Sequence, residues 1–106
     1  MVLHEDILQQ MLAAAAGASK EAWSGLAAKF PGIAQAVLDD AKQTAEDAAS
    51  GAITPGEAKV QLAGIRDEID MAAYFADEAL KIAAQNALNA ALDVLWSAVQ
   101  AAIPKP

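Results

Sequence analysis

Ser50-Gly51-Ala52-Ile53-Thr54-Pro55-Gly56-Glu57 divides the chain into two alanine-rich arms of nearly equal length. Thr54 is an N-cap residue type, and Pro55 fits the first helical position, where a missing N–H costs nothing. Glu57 completes a capping box, and Gly51 suits the left-handed residue that ends the preceding helix. The pattern on either side predicts an all-α fold: an antiparallel helical hairpin with arm one at about 3–50, a turn at 51–54 and arm two at about 55–103.

The 106 residues suffice for a single domain with one core. Alanine makes up about a quarter of them and aromatics only 5%, a balance that favours helices over a sheet. Alanine buries little area, so the core should be thin and its helices closely spaced. A thin core in a long hairpin is weakly stabilised, and self-association is the usual remedy.

The formal charge is −7 and the chain has no Lys/Arg cluster, which argues against nucleic acid as a partner. Acidity of this degree keeps a protein soluble, or it can address a basic partner. The absence of cysteine excludes disulfide staples, thiolate metal sites and a cysteine nucleophile. The start of the chain lacks the positive region of a signal peptide, so Glu5 and Asp6 read as acids of a first helical turn. The expected location is the cytoplasm or the inside of a larger particle. The stretch 82–103 has Asp93 as its only charge. Gln85, Asn86, Asn89, Ser97 and Gln100 interrupt it, however, so it reads as a helix buried by protein rather than a membrane span.

Beyond its first turn arm two contains no proline and one glycine, Gly64, which predicts one long helix of about 70 Å before Pro104. Its first apolar stripe runs Leu62, Ile65, Ile69, Ala72, Ala76, Ala79, Ala83, Ala87, Ala90 and Val94. A second, Leu80, Leu88, Leu92, Leu95 and Val99, implies more than one neighbour. Arm one has breaks near Gly17, with Ser19 as an N-cap candidate, and near Pro31. Helices are therefore expected near 3–17, 19–30 and 32–50, with the alternative that they merge across Gly17 and kink at Pro31. Trp23, Leu26, Phe30, Ile33 and Val37 form a continuous three-and-four seam across it.

With the tip near 52 and 53, antiparallel neighbours have residue numbers adding to about 105. Phe30 then faces Phe75, and three opposite-charge pairs align: Glu46 with Lys59, Asp39 with Arg66, and Lys29 with Asp77 or Glu78. Such exposed pairs specify register more than they stabilise.

Charge concentrates at 39–81, so the closed hairpin has an acidic tip and an apolar base. Met11, Leu12, Leu88, Leu92, Leu95, Trp96 and Val99 are the expected oligomer interface, which would make a dimeric four-helix-type bundle. The alternative is that arm one folds back over the long helix within one chain. Asp39, Asp40, Glu46 and Asp47, placed against a helix C-terminus where negative charge is unfavourable, are the expected acidic partner surface.

No constellation carries recognisable chemistry. His4 is the only histidine, and Asp67-Glu68-Ile69-Asp70 lacks the alternating ligands of a calcium loop. No catalytic residue, metal or cofactor is expected. The leading reading is a non-enzymatic helical oligomerising structural or assembly protein: an adaptor, a scaffold, or an accessory component of a larger particle such as a phage virion. The alternative is an acidic binding module such as an immunity or antitoxin-type inhibitor. A lipid-surface protein comes third, since an interfacial helix normally carries a Lys/Arg-rich face.

Overall fold

The central punctuation forms the turn its residues encode. In the computed structural model, which describes Leu3 and residues 6–104, a helix ends at Ser50 and Gly51 adopts φ +81°. The Ala52 N–H donates to the Asp47 carbonyl at 2.9 Å and the Gly51 N–H to Ala48 at 3.3 Å, which satisfies two of the terminal carbonyls. The next helix opens with a reciprocal capping box. Thr54 Oγ1 accepts from the Glu57 N–H at 3.1 Å, and Glu57 Oε1 accepts from the Thr54 N–H at 3.0 Å.

Every regular element among the described residues is helical. Helix α1 spans Ile7–Ser19, the single turn α2 Trp23–Leu26, α3 Phe30–Ser50, α4 Pro55–Asp67 and α5 Glu78–Ala102; 3₁₀ turns occupy Lys20–Ala22 and Met71–Ala73. Glu5 and His4 lie outside the described residues. Asp6 is the N-cap of α1, although its side chain makes no capping bond.

Two expectations about continuity are corrected. Arm two is not one long helix. It stops at Asp67 and restarts at Glu78, because two aspartates bond the backbone locally and turn it away from the helical path. Asp70, with extended backbone, accepts from the Ala72 N–H at 3.0 Å; Asp77, also extended, caps α5 by accepting from the Leu80 N–H at 3.0 Å. In arm one, Gly17 does not break α1, which runs on to Ser19. Ser19 occupies the N-cap position of the following 3₁₀ turn, but its side chain does not cap it: the buried hydroxyl donates back to the Ala15 carbonyl at 2.8 Å. The reversal comes at Lys20, whose φ of +51° is the only positive value among the described non-glycine residues. Pro31 does not kink a helix either; it lies in the first turn of α3, where proline is tolerated, and the interruption precedes it at 27–29.

Helix α5 lies at the centre of the packing. Helices α1, α3 and α4 all touch it, and α3 also touches α1 and α4. The four longer helices thus share one core within a single chain, and α1 lies chiefly on α5. The long dimension is 45 Å, far short of the roughly 70 Å of a straight second arm.

The helices meet through small residues, with Ala34, Ala41, Ala45 and Ala48 on α3 and Ala84, Ala87 and Ala91 on α5 all buried. Such surfaces allow close approach of the axes. Volume comes from Phe30, Met11, Leu26, Ile33, Leu62, Leu88 and Leu95, each essentially inaccessible and contributing about 1.5–3 kcal/mol where fully buried. The seam of arm one survives its interruption. Leu26, Phe30, Ile33 and Val37 are buried, and half-buried Trp23 meets Phe30 edge to face at 5.7 Å. The first stripe of arm two holds at Leu62 but fails at Ala72, Ala76 and Ala79, which are exposed; Met71 and Phe75 are buried there instead.

Candidate functional site

The 3.6-residue period of α3 separates an alanine-rich buried face from an acidic outer one. Asp39, Asp40 and Glu46 are exposed and Asp47 half-buried, so the four expected carboxylates share one helix and its solvent side. Amides one turn earlier hold two of them: Gln35 Nε2 donates to Asp39 Oδ1 and Gln43 Nε2 to Asp47 Oδ1, both at 2.9 Å. Lys42 Nζ approaches Asp39 Oδ1 at 3.2 Å. The Gln35 bond first, and Lys42 second, hold the Asp39 carboxyl below its usual range.

Lys42 is the only cation on α3, and the last turn of that helix has no basic residue. Glu46 and Asp47 therefore oppose the negative end of the helix dipole without compensation, at a cost of about 0.3–1 kcal/mol each. The cross-arm cations expected to neutralise this face are occupied elsewhere. Lys59 lies over the Trp96 ring at 6.0 Å from its centroid, and Arg66 Nε meets Asp67 Oδ1 at 3.0 Å. Lys29 Nζ donates to the Tyr74 carbonyl at 2.8 Å, above the Phe75 ring. Glu78 pairs with Lys81 at 2.8 Å instead, which raises the lysine's pKa. The foreseen pairs fail because α5 packs against α4 and draws Lys59 and Arg66 toward it, and because the second arm bends at 68–77.

The expected oligomer interface occupies a different environment. Met11, Leu88, Leu95 and Val99 are fully buried inside the single chain, Leu92 is 8% exposed, and Leu12 and Trp96 are half-buried. Helix α1 folds back over α5 and covers the apolar base, so in this arrangement these side chains serve the core of one chain. The apolar side chains left outside are scattered: Val60 at 71% exposure, Ile82 at 57% and Tyr74 at 40%.

A feature missed from the sequence is a groove of about 110 Å³ between α4 and α5, lined by Lys59, Leu62, Ala63, Arg66, Leu92, Asp93 and Trp96. Arg66 Nη1 reaches across it to Asn89 Oδ1 at 3.4 Å. Both pairs, 66 with 89 and 59 with 96, fit an antiparallel α4–α5 register turning within 68–77, a bend that the straight second arm expected from the sequence did not contain. A second depression, open and of about 560 Å³, is lined by Thr54, Gly56, Glu57, Val60 and Gln61 beside the first turn of α4.

Among the described residues no three His, Asp or Glu side chains are arranged to hold a metal ion, and no helix is long and apolar enough to cross a membrane. The Asp67–Asp70 group instead shapes the bend between α4 and α5. Comparison of the chain with protein-family models, with curated proteins and with solved structures finds no match.

Proposed function

We propose that this chain is a non-enzymatic helical assembly protein, an adaptor or accessory component of a larger particle, that engages a basic protein partner through the outer face of α3. The observation that carries this reading is the placement of Asp39, Asp40, Glu46 and Asp47 on one solvent-facing stripe with Lys42 as its single cation. Two of these carboxylates lie at the end of the helix where charge of that sign destabilises. A face that costs stability and is left unneutralised suits electrostatic recognition, which speeds encounter and selects partners more than it adds raw affinity. The same chemistry would serve an inhibitor of the immunity or antitoxin type; the two uses differ in what the partner does once bound.

The test is a comparison of two charge reversals. Binding of a lysine- and arginine-rich helical peptide is measured at low and physiological ionic strength for the unaltered chain. It is then measured for Asp39→Lys with Glu46→Lys and Asp47→Lys, and for Asp67→Lys with Glu68→Lys and Asp70→Lys. Loss of affinity confined to the α3 set is the expected result. Equal loss from both sets would mean that net charge alone drives binding and would refute the assignment of the face.

A further inference from the structure

Contacts along the chain retain one register on both sides of its bends. Thr44 Oγ1 donates to Gln61 Oε1 at 2.9 Å near the turn, and Gly25 packs against Leu80 far from it, where a Cβ on the glycine would come 2.8 Å from Leu80 Cδ2. In both pairs the residue numbers add to about 105, the relation set by two antiparallel helices of equal rise. Lys29 Nζ meets the Tyr74 carbonyl between them. In that register 27–29 lies level with 76–78, so the first interruption meets the end of the second, 68–77. The molecule is a paired strand of helices folded once across its middle. One half holds α3 and α4, the other α1, α2 and α5, and the two meet where α5 contacts α3 and α4 and where α1 contacts α3.

We infer that this fold exchanges halves between two copies of the chain. In the exchanged dimer the α3–α4 half of one copy packs on the α1–α5 half of the other. The crossing segments suit this. Residues 68–77 contain neither glycine nor proline and include Met71-Ala72-Ala73 and Ala76, good helix formers. Exposed polar contacts shape the bend, Asp70 on Ala72, Asp77 on Leu80 and Lys29 on Tyr74, and buried Met71 and Phe75 anchor it in the core. If residues 68–77 become helical and the exposed turn at 27–29 opens with them, the two halves separate within one chain. The surfaces thereby uncovered are the ones a second copy presents, so the packing given up within each chain re-forms between the two. Leu92 and Trp96 of one copy would then line the groove with Lys59, Leu62 and Arg66 of the other. The acidic face of α3 takes no part, so this inference stands or falls independently of the partner reading.

Two variants move the equilibrium in opposite directions. Asp70→Ala with Asp77→Ala removes the side chains that turn the backbone at the bend, and light scattering should show the dimer association constant rising more than tenfold. Glu78→Pro keeps the bend. Position 78 is the first of α5, where proline is tolerated, and Asp77 before it is already extended. A straight helix through 78 is then blocked, so this variant should stay monomeric with an unchanged circular-dichroism spectrum.

Exchange is distinguished from side-by-side pairing by cross-linking, because the chain has no cysteine. Chains carrying Arg66→Cys and chains carrying Asn89→Cys are unfolded together and refolded at high concentration. The dimer fraction is then treated with a short bismaleimide and should yield the mixed cross-linked product. A parallel mixture of Thr44→Cys and Gln61→Cys chains should yield none, since that pair stays within one half. A dimer that cross-links the second mixture and not the first would overturn the inference. So would a monomer at every concentration in both the unaltered chain and the Asp70→Ala/Asp77→Ala variant.

Discussion

Substituting alanine for glycine at three positions should change stability in two directions, and the outcome follows from the geometry at each. Gly17 lies in the body of α1, exposed, with nothing within 4 Å of a Cβ built on it. Alanine there gains the helical propensity difference, about 0.8–1 kcal/mol, with no steric cost. At Gly25 the added Cβ meets Leu80 Cδ2 at 2.8 Å and Cδ1 at 3.4 Å. The atoms it meets are the far end of a half-buried leucine, which can rotate aside, so the cost of the shift offsets the propensity gain and the variant should stay within about 0.5 kcal/mol of the unaltered chain. Gly51 has open space around it, but its φ of +81° is a conformation that costs an L-residue about 1–2 kcal/mol. Urea unfolding followed by helical circular dichroism measures all three. The Gly17→Ala and Gly51→Ala variants should differ by about 2–3 kcal/mol, equivalent to roughly 10 °C or more in Tm. If Gly17→Ala destabilised the protein as much as Gly51→Ala does, α1 would not run through residue 17 and the helix would have to break there after all.

Glu46→Gln together with Asp47→Asn should raise stability by about 0.5–1.5 kcal/mol by relieving the dipole of α3 while weakening capture of a basic peptide; a fall in stability would remove the argument that this face is kept at a cost. Leu95→Ala, at a fully buried position of α5, should cost about 2.7–5 kcal/mol in denaturant unfolding, whereas Val60→Ala on the exposed side of α4 should stay within about 0.5 kcal/mol. The Glu57 carboxyl is held below its usual range by the Thr54 N–H first and by its contact with the Thr54 side chain second. A depressed carboxyl stabilises the folded state above the pKa it has when unfolded, and that contribution fades as pH falls through the lower folded value. Glu57→Gln retains the capping geometry without a titrating group, so its stability should show a smaller dependence on pH across the acid range; identical profiles would refute the link. Lys20→Gly should stabilise by about 1 kcal/mol, because glycine adopts the φ of +51° without strain.

Much of the fold was legible in particular residues. Gly51, Thr54, Pro55 and Glu57 each perform the local task their chemistry suggests, because capping depends on neighbours three or four positions away. The seam from Leu26 to Val37 and the acidic stripe of α3 follow from helical periodicity alone. Asp70 and Asp77 were harder to read: a charged residue in an alanine-rich run can equally be an exposed helical position or a cap. The choice between these depends on whether the halves bury more surface bent than straight. Gly17 misled in the opposite sense. Its intrinsic cost of about 1 kcal/mol is overridden by the buried Met11, Ala15 and Ser19 on the same helix. The apolar base was legible as a need for cover, but Met11, Leu88, Leu95 and Val99 carry no mark of whether that cover comes from the same chain. The contacts of Lys59 with Trp96 and of Arg66 with Asn89 depend on the bend itself, so no pattern within either arm foreshadowed them.

The position of α5 also sets an order of events during synthesis. Helix α1 emerges early, yet the surface it packs on is made only after α2, α3, α4 and the bend. At ~5–20 residues per second, the ~80 residues that follow α1 take on the order of 4–16 s. Throughout that interval Ile7 and Met11 have no α5 to cover them, while α3 and α4, joined by their short capped turn, can already pair. Helix α5, made after the four helices before it, is thus the one that gives α1 its shelter, and a ribosome stalled before residue 78 would hold a nascent chain with α1 unsheltered.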